Sequence, residues 1–488
     1  MNVRFSRPAI IFLILALCSC KGEDKEWLEP QCEADLSGFC VTAVSGTIYD
    51  IELTKRADIQ RILFKSTADC LEALDRGMVD VYVDDDDTFT ESELKRQKLK
   101  IAFRGSMELP TAFGFQKGGE LRDKFNVFLD SLGRDGSLER MREFWVNPDG
   151  VPFETIPEIE AYTEGVPLRV GTASMREPNS YVANGVWVGY EVELIKRFAA
   201  WIKCPVVISH FDVPSLIFGL QTGNVDIMMG SITITEERQK SIDFSVPYEI
   251  KHPAYYVIDR ESEIHNAAFF SRIGDSFYQN LILDKRWSYI TRGLMKTLDL
   301  TVLSVFFGSL LGILLCAMAR SRKKWMKDFV SVYALLMHGL PMLVLLLFMF
   351  YVVFSGTSVN ALIVAVVAFS MNFASSASGI FSSSIDAIPK GQTEAGLALG
   401  FTKFGTFTNI VLPQAIQKGL SSFKGACIGL LKNTSIVGYI GVLDLTKASD
   451  LIRSRTFDAF VPLLIISVVY LILAWAIGAL LDLALKKS

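Results

Sequence analysis

The chain has 488 residues, of which 50% are hydrophobic, with a formal net charge of −4 and a mean hydropathy of +0.32. This length is too great for one ordinary domain and indicates about three. No basic face stands out, which argues against nucleic-acid binding. The averages hide a division, because residues 21–290 are rich in charge whereas residues 297–485 contain long uncharged runs.

The N-terminus has the pattern of an export signal. Arg4 and Arg7 precede an apolar run that is too short to span a bilayer well, and the run ends in Leu-Cys-Ser-Cys at residues 17–20. This tetrapeptide resembles a lipobox, in which the last cysteine is lipidated after cleavage. We therefore predict a signal or lipoprotein-type segment over residues 1–20, with a lipidated Cys20; an uncleaved anchor is the alternative. Either one exports the residues that follow.

Residues 33–150 combine a Val-Ser-Gly-Thr turn with a strand that ends in an acidic run. This segment resembles the second half of periplasmic polar amino acid binding proteins (solute-binding family 3), including their closing strand and helices. The resemblance implies that Gly46 and Thr47 meet the α-carboxylate of the ligand and that Asp85 binds its α-ammonium group. For residues 84–87 the alternative is a solvated acidic turn.

Short strands and helices alternate over residues 166–258, as in one lobe of an α/β domain. The run over residues 230–248 resembles the first lobe of the same binding proteins. The resemblance implies that Ser231, Thr233 and Arg238 hold the ligand's α-carboxylate, and arginine offers a planar fork that matches a carboxylate. Alternatively, Arg238 is a surface residue and the hydroxyls cap its helix.

The second half of the binding domain thus precedes the first. We predict one circularly permuted two-lobe domain, with the second lobe and closing helices over 33–150, a linker over 151–165 and the first lobe over 166–258. One crossing between the lobes, near Ala102 to Pro110, is expected to be continuous, and the other to be cut because Ile258 would lead from lobe one to the membrane. A degenerate remnant followed by half of another domain is the alternative. The family's aromatic clamp positions are Arg176 and Val213 here, so the identity of the ligand stays open.

Five segments of the C-terminal half can span a bilayer, over residues 297–319, 330–354, 359–384, 425–445 and 459–482. The fourth is the weakest because it carries Lys432 and Asn433. The basic loop after the first span indicates an orientation with the N-terminus outside and the C-terminus inside. The predicted fold is therefore an α/β two-lobe periplasmic-binding-protein fold, a tether over 259–292 and an all-α five-helix transmembrane domain over 293–485.

The segment after the third span carries the most specific motif of the chain. It reads Glu394-Ala395-Gly396, then Gly400 after three further residues, then Ile-Val-Leu-Pro at residues 410–413. This matches the EAA signature of ABC importer permeases, in their polar amino acid branch, with Gly396 where alanine is usual. The resemblance implies a short cytoplasmic helix, ended by Gly400, that docks on a separate ATPase subunit. An ordinary amphipathic loop helix is the alternative.

These observations predict the membrane subunit of an amino acid ABC importer in the bacterial inner membrane, with its binding domain on the outer side. The expected partners are an ABC ATPase subunit, a second permease copy (identical or different), an amino acid and membrane lipid. No Gly-x-x-x-x-Gly-Lys-Ser/Thr loop occurs in the sequence, so ATP hydrolysis is expected in the partner, and no cofactor or metal is expected.

Three other functions compete with this one. A membrane-anchored amino acid sensor without transport is the main rival. An enzyme is not expected, because the four histidines are scattered and form no Ser/His/Asp or metal constellation. The Val-Gly-Tyr at residues 437–439 resembles a potassium filter, but it lacks the setting of a re-entrant loop with a pore helix.

Overall fold

The computed structural model describes residues 29–146, 151–260, 274, 276–357, 359–458 and 460–486. The predicted signal segment over residues 1–20, with Cys20, lies outside the described residues. In the soluble half the chain forms, in order, β1 (Cys40–Val44), α1 (Ile48–Thr54), β2 (Gln60–Phe64), α2 (Thr67–Asp75), β3 (Val81–Asp85), α3 (Glu91–Gln97), β4 (Leu99–Arg104), β5 (Leu109–Thr111), β6 (Gly114–Phe115), α4 (Leu121–Arg134), α5 (Ser137–Trp145), β7 (Leu168–Thr172), β8 (Tyr181–Ala183), β9 (Val186–Val188), α6 (Tyr190–Trp201), β10 (Val206–His210), α7 (Val213–Gln221), β11 (Ile227–Met229), α8 (Glu236–Ser241), β12 (Asp243–Phe244), β13 (Glu249–Lys251) and β14 (Pro253–Ile258).

Two five-stranded sheets define two lobes. Lobe two, residues 33–104 and 253–258, has the strand order β2-β1-β3-β14-β4, in which β1 is parallel to its neighbours and β14 is antiparallel to its own. Lobe one, residues 112–146 and 168–248, has the order β10-β7-β11-β6-β12, in which β6 is antiparallel to both neighbours. Each lobe therefore uses chain from both sides of the predicted linker.

The prediction that residues 166–258 form one lobe is wrong at its C-terminal end. The first five residues of β14 are buried, and the strand lies between β3 and β4, with Pro253 opposite Asp85 and Ile258 opposite Leu99. An apolar strand can complete either sheet equally well by its pattern, so the sequence did not reveal which one it joins.

The predicted cut crossing is wrong for the same reason. The chain passes between the lobes at residues 105–111 and again at 249–252, where β5 and β13 pair antiparallel. Both crossings are continuous, and both flanks of the domain leave from lobe two. On one flank Glu29 forms an ion pair with Lys100, and on the other the Asp259 N–H donates to the Lys98 carbonyl at 2.7 Å.

The closing helices α4 and α5 pack on lobe one. Their aromatic side chains, among them Phe125 and Trp145, join Phe198 of α6 in one core cluster. The buried Trp145 indole N–H donates to Glu193 Oε2 at 2.6 Å, which satisfies its polar atom. Residues before the linker therefore complete the core of strands that come after it.

The membrane half is helical. Its helices are α9 (Trp287–Ala319), α10 (Lys324–Gly339), α11 (Met342–Phe348), α12 (Ala361–Asp386), α13 (Lys390–Ala398), α14 (Lys403–Thr406), α15 (Leu412–Asn433), α16 (Leu445–Thr456) and α17 (Phe460–Lys486). Among the described residues, α9, α12 and α17 are long and apolar enough to cross a membrane, and the number rises to five if each of two bent helix pairs is one span.

Both bent pairs depart from the predicted continuous spans. The second predicted span breaks where Leu340 is extended and Pro341 precedes α11, and its two parts meet at 104°. Proline disfavours a helical conformation in the residue before it, which accounts for the break. In the fourth predicted span, 425–445, the α-helix stops at Asn433. A 3₁₀ turn (Thr434–Ile440) follows before α16 begins.

Close packing of α9 against α12 depends on two glycines. A Cβ at Gly308 would lie 2.9 Å from Phe373 Cδ1, and one at Gly312 would lie 2.8 Å from Ala377 Cβ. Small residues four positions apart let helix backbones approach within a membrane. The helices α9 and α12 together form the central packing interface of the permease domain.

Candidate functional site

The cleft between the lobes contains a cavity of about 510 Å³. Five of the six predicted ligand contacts line it, from both lobes: Thr47, Asp85, Ser231, Thr233 and Arg238. The sixth, Gly46, borders it through a hydrogen bond to Arg238. Residues almost 200 positions apart in sequence thus meet in one cleft.

Arg238 bridges the two lobes. Thr235 caps α8 by accepting the Arg238 N–H at 3.2 Å, and this places Arg238 in the first turn, facing the cleft. Its Nη1 donates to the Thr233 carbonyl at 3.0 Å and its Nη2 to the Gly46 carbonyl at 3.1 Å. These bonds use two of the five N–H donors of the guanidinium. The side chain is 8% exposed, so the surface-residue alternative is wrong, and burial lowers the pKa of Arg238.

Glu191, which was not predicted, holds the loop that carries Ser231. Ser231 has a left-handed backbone (φ 54°), and its N–H donates to Glu191 Oε1 at 2.7 Å, as does that of Gly230 at 3.2 Å. The Tyr248 hydroxyl donates to the same oxygen. Burial raises the pKa of Glu191. The sequence contains a signal for this buried position. Glu191 lies on the same helical face as apolar Leu194, three positions later, and an apolar face of a helix is expected to pack inward.

Asp85 ends β3 inside the cleft. The Tyr49 hydroxyl donates to Asp85 Oδ1 at 2.5 Å. Burial raises the pKa of Asp85 to about 7, against the opposing effect of the Lys251 ammonium. Asp84 and Asp85 are 5% and 9% exposed, so a solvated turn does not describe them.

Arg176, at one of the two clamp positions, forms an ion pair across the cleft. Its Nη1 lies 3.1 Å from Asp84 Oδ2 and donates to Thr88 Oγ1 at 2.9 Å. The Tyr82 hydroxyl donates to the same Asp84 oxygen. Val213, at the other clamp position, lines the cavity too. The two clamp positions therefore carry a charged and an aliphatic side chain in place of aromatic rings.

The permease domain forms the remaining wall of this cavity. The wall consists of the 3₁₀ turn and α16, through Ser435, Gly438, Tyr439, Asp444, Thr446, Lys447, Asp450, Leu451, Arg453 and Ser454. Arg453 pairs with Asp69 of lobe two, and Arg455 pairs with Glu177 of lobe one. The binding domain sits with its cleft facing the permease.

The predicted coupling residues lie on and after α13. Glu394, Ala395 and Gly396 belong to this helix, and Gly400 follows it with φ 86°. A Cβ at Gly396 would lie 2.6 Å from Thr406 Cγ2, which explains glycine where alanine is usual. Around them Leu399 and other apolar side chains are exposed, as on a surface awaiting a partner.

Known proteins resemble this chain in its binding domain and in its permease domain. Residues 168–421, just over half of the chain, match the bacterial extracellular solute-binding proteins, family 3. The L-cystine transport system permease protein TcyB of Bacillus subtilis is 31% identical over 212 residues, 43% of this chain and 89% of TcyB. The arginine ABC transporter permease protein ArtQ of Haemophilus influenzae is 34% identical over 188 residues, 36% of this chain and 83% of ArtQ.

The chain belongs to the amino acid ABC transporter permeases and to solute-binding family 3. It is a multi-pass membrane permease with a fused extracytoplasmic solute-binding domain. The solved structures that it resembles include an amino acid ABC transporter described as with histidines, at 30% identity over 46% of this chain and all of that one, with a TM-score of 0.39. The solute-binding match begins at residue 168 and so leaves out Thr47 and Asp85.

Proposed function

We propose that this permease imports a polar amino acid that its own fused domain captures. Support comes from one observation: cationic Arg238 of lobe one and acidic Asp85 of lobe two line the same cavity. A zwitterion between them would have its carboxylate on Arg238, Ser231, Thr233 and Thr47 and its ammonium on Asp85. Both charges of the amino acid backbone would then be paired away from water.

The side chain of the amino acid would contact the Arg176–Asp84 pair. A guanidinium donates and a carboxylate accepts hydrogen bonds, so a side-chain amide can satisfy both at once. We therefore place amides first in the screen below. Permease relatives carry names that mention glutamine, cystine and arginine, and these amino acids belong in the same screen.

The proposed assembly has two permease domains and two ATPase subunits. Support comes from the motif on α13 and its exposed apolar surroundings, which offer a docking surface for an ATPase. We also propose that Cys20 is lipidated and anchors lobe two from its other flank, on the basis of the lipobox-like sequence alone.

Uptake by the reconstituted complex tests the function. The full chain and an ABC ATPase subunit are placed in liposomes, and ATP-dependent uptake of each labelled proteinogenic L-amino acid is measured. We expect uptake of one or a few polar amino acids, and loss of that uptake in Arg238→Ala. Tight binding of an amino acid without any ATP-dependent uptake would contradict transport and favour a sensor.

A further inference from the structure

A stripe of alternating charge runs along α16 inside the ligand cavity. Asp444, Lys447, Asp450 and Arg453 follow one another at intervals of three, and all four line the same cavity as the ligand contacts of both lobes. Residues three apart on a helix share a face, so the stripe is continuous. It runs from Arg453, beside lobe two, to Asp444, whose neighbour Leu445 donates its N–H to Thr297 in the permease interior at 3.1 Å.

The two ends of this stripe are occupied by structural bonds. Asp444 caps α16 by accepting the N–H groups of Thr446 and Lys447 at 3.1 and 3.0 Å. Arg453 pairs with Asp69 and lies 3.4 Å from one oxygen of Asp450. The ends of the stripe therefore fix the helix and the docked domain in place.

In the middle of the stripe, Lys447 lacks such bonds. Across the parts of the chain that the structure describes, the Lys447 ammonium makes no hydrogen bond and no ion pair within 4.0 Å. Its alkyl stem lies over Gly438, with Cδ 3.3 Å from the position of a Cβ there. Facing it from lobe one, His210 has an Nδ1 without a hydrogen-bond partner in the same described parts. Lys447 is half-buried, and its ammonium lies beside a buried imidazole nitrogen that lacks a partner, so this part of the cavity can accept a further polar group.

We propose that Lys447 and Asp450 form a second amino acid site, the handover site, which receives the ligand from the cleft. The ligand carboxylate binds the Lys447 ammonium, with the His210 edge beside it, and the ligand ammonium binds the second oxygen of Asp450. The side chains of residues three apart start about 5–6 Å from each other, a span that the two charged groups of one α-amino acid can bridge. This inference rests on the proposed function, because it takes the same amino acid as the cleft.

The geometry makes a transfer within one cavity feasible. A volume of about 510 Å³ lies within the range of about 300–1,000 Å³ typical of ligand pockets, and both sets of residues share it. The ligand then passes from Arg238 and Asp85 to Lys447 and Asp450 with both charges paired at each stage. Leaving a buried charge unpaired during transfer would be costly, and the handover site avoids this.

Binding of labelled amino acids to the full chain tests the site. An equimolar mixture of uniformly ¹⁴C-labelled proteinogenic L-amino acids is equilibrated with the purified chain in lipid nanodiscs, and bound label is identified and counted. We expect a tight component and a second, weaker component of the same amino acid. Lys447→Met and Asp450→Asn should each weaken the second component at least tenfold and change the first less than twofold, with uptake reduced at least tenfold. Lys240→Met, on the exposed surface of lobe one, is the matched control.

Two further variants separate this site from the cleft. Arg238→Ala should remove the tight component and keep the weak one, and adding Lys447→Met should remove both. Lys447→Arg keeps the charge and should retain the weak component, which guards against misfolding as the cause of loss. Unchanged stoichiometry and uptake in Lys447→Met would overturn the handover site alone. A tight component that survives Arg238→Ala overturns the proposed cleft site, and the absence of any bound label in the unaltered chain overturns both.

Discussion

Arg453 and Arg455, two positions apart on α16, bind opposite lobes of the solute-binding domain. Arg453 pairs with Asp69 of lobe two, whereas Arg455 pairs with Glu177 and donates to the Val182 carbonyl of lobe one at 2.7 Å. One short permease helix therefore holds both lobes at a single separation. A change in that separation must break at least one of the two pairs.

Reversing the charge of Asp69 should uncouple binding from ATP hydrolysis. The Arg453 side chain is 10% exposed and that of Asp69 is 31% exposed, so the pair is partly shielded from water. We expect Asp69→Arg to lower amino-acid-stimulated ATP hydrolysis severalfold in the reconstituted complex, because attraction becomes repulsion. The exchanged pair, Asp69→Arg with Arg453→Asp, should restore part of it, with a coupling of about 0.5–3 kcal/mol between the two changes. Full stimulation in the single variant would show that this contact is dispensable.

Removing the cleft guanidinium should weaken binding strongly. Loss of one partner of a desolvated charge pair costs about 2–5 kcal/mol, so Arg238→Ala should reduce affinity at least about thirtyfold in calorimetry. Arg238→Lys keeps the charge without the planar fork, so its affinity should lie between that of the unaltered chain and that of Arg238→Ala. Arg134→Ala, on an exposed face of α4, is the control and should bind normally. An unchanged affinity in Arg238→Ala would exclude this cleft as the site.

Ligand affinity should fall as the pH is lowered below about 7. Burial raises the pKa of Asp85 to about 7, so below that pH the ligand-free domain holds a proton that an incoming ammonium must displace. Binding then releases up to one proton, and affinity should drop by up to tenfold per pH unit. Calorimetry in two buffers of different ionisation enthalpy measures the released proton. Asp85→Asn should bind weakly at every pH, without this dependence, whereas a flat profile in the unaltered chain would remove Asp85 from the ammonium site.

Glu394→Lys should abolish uptake and leave amino acid binding intact. The residue lies exposed on α13, far along the chain from the cleft, and a reversed charge there opposes docking of the ATPase. ATP-dependent uptake in liposomes and calorimetric binding are measured on the same preparation. Glu164→Lys, exposed in the linker, is the control for membrane insertion and should transport normally. Normal uptake in Glu394→Lys would remove α13 from the coupling role.

Restoring the usual alanine at position 396 should destabilise this chain. A Cβ at Gly396 would meet Thr406 Cγ2 at 2.6 Å, and overpacking of this kind costs about 1–3 kcal/mol. We expect Gly396→Ala to lower the melting temperature and uptake together. Adding Thr406→Ala removes the obstructing methyl group and should recover both. An unchanged melting temperature and uptake in Gly396→Ala would mean that the segment around Thr406 moves aside without cost.

The sequence predicted the two-lobe fold, the helical permease and the residues that meet in the cleft, because each was carried by a local motif. It did not predict which sheet β14 completes, because a buried apolar strand has the same sequence pattern in either lobe. Nor did it predict the partner of Arg176, because Asp84 is 92 positions away and no pattern links the two. The break at Pro341 was visible in the sequence, but the apolar content of the segment outweighed it.

The lobe two strand β14 leads through residues 259–286 to α9, so binding domain and permease are parts of one molecule. Docking is thus a unimolecular event, and a short connection corresponds to an effective concentration on the order of millimolar. At such a concentration even a weak docked complex stays largely formed. An individual contact between the two parts, such as Asp69–Arg453, can therefore be weak without loss of the docked arrangement.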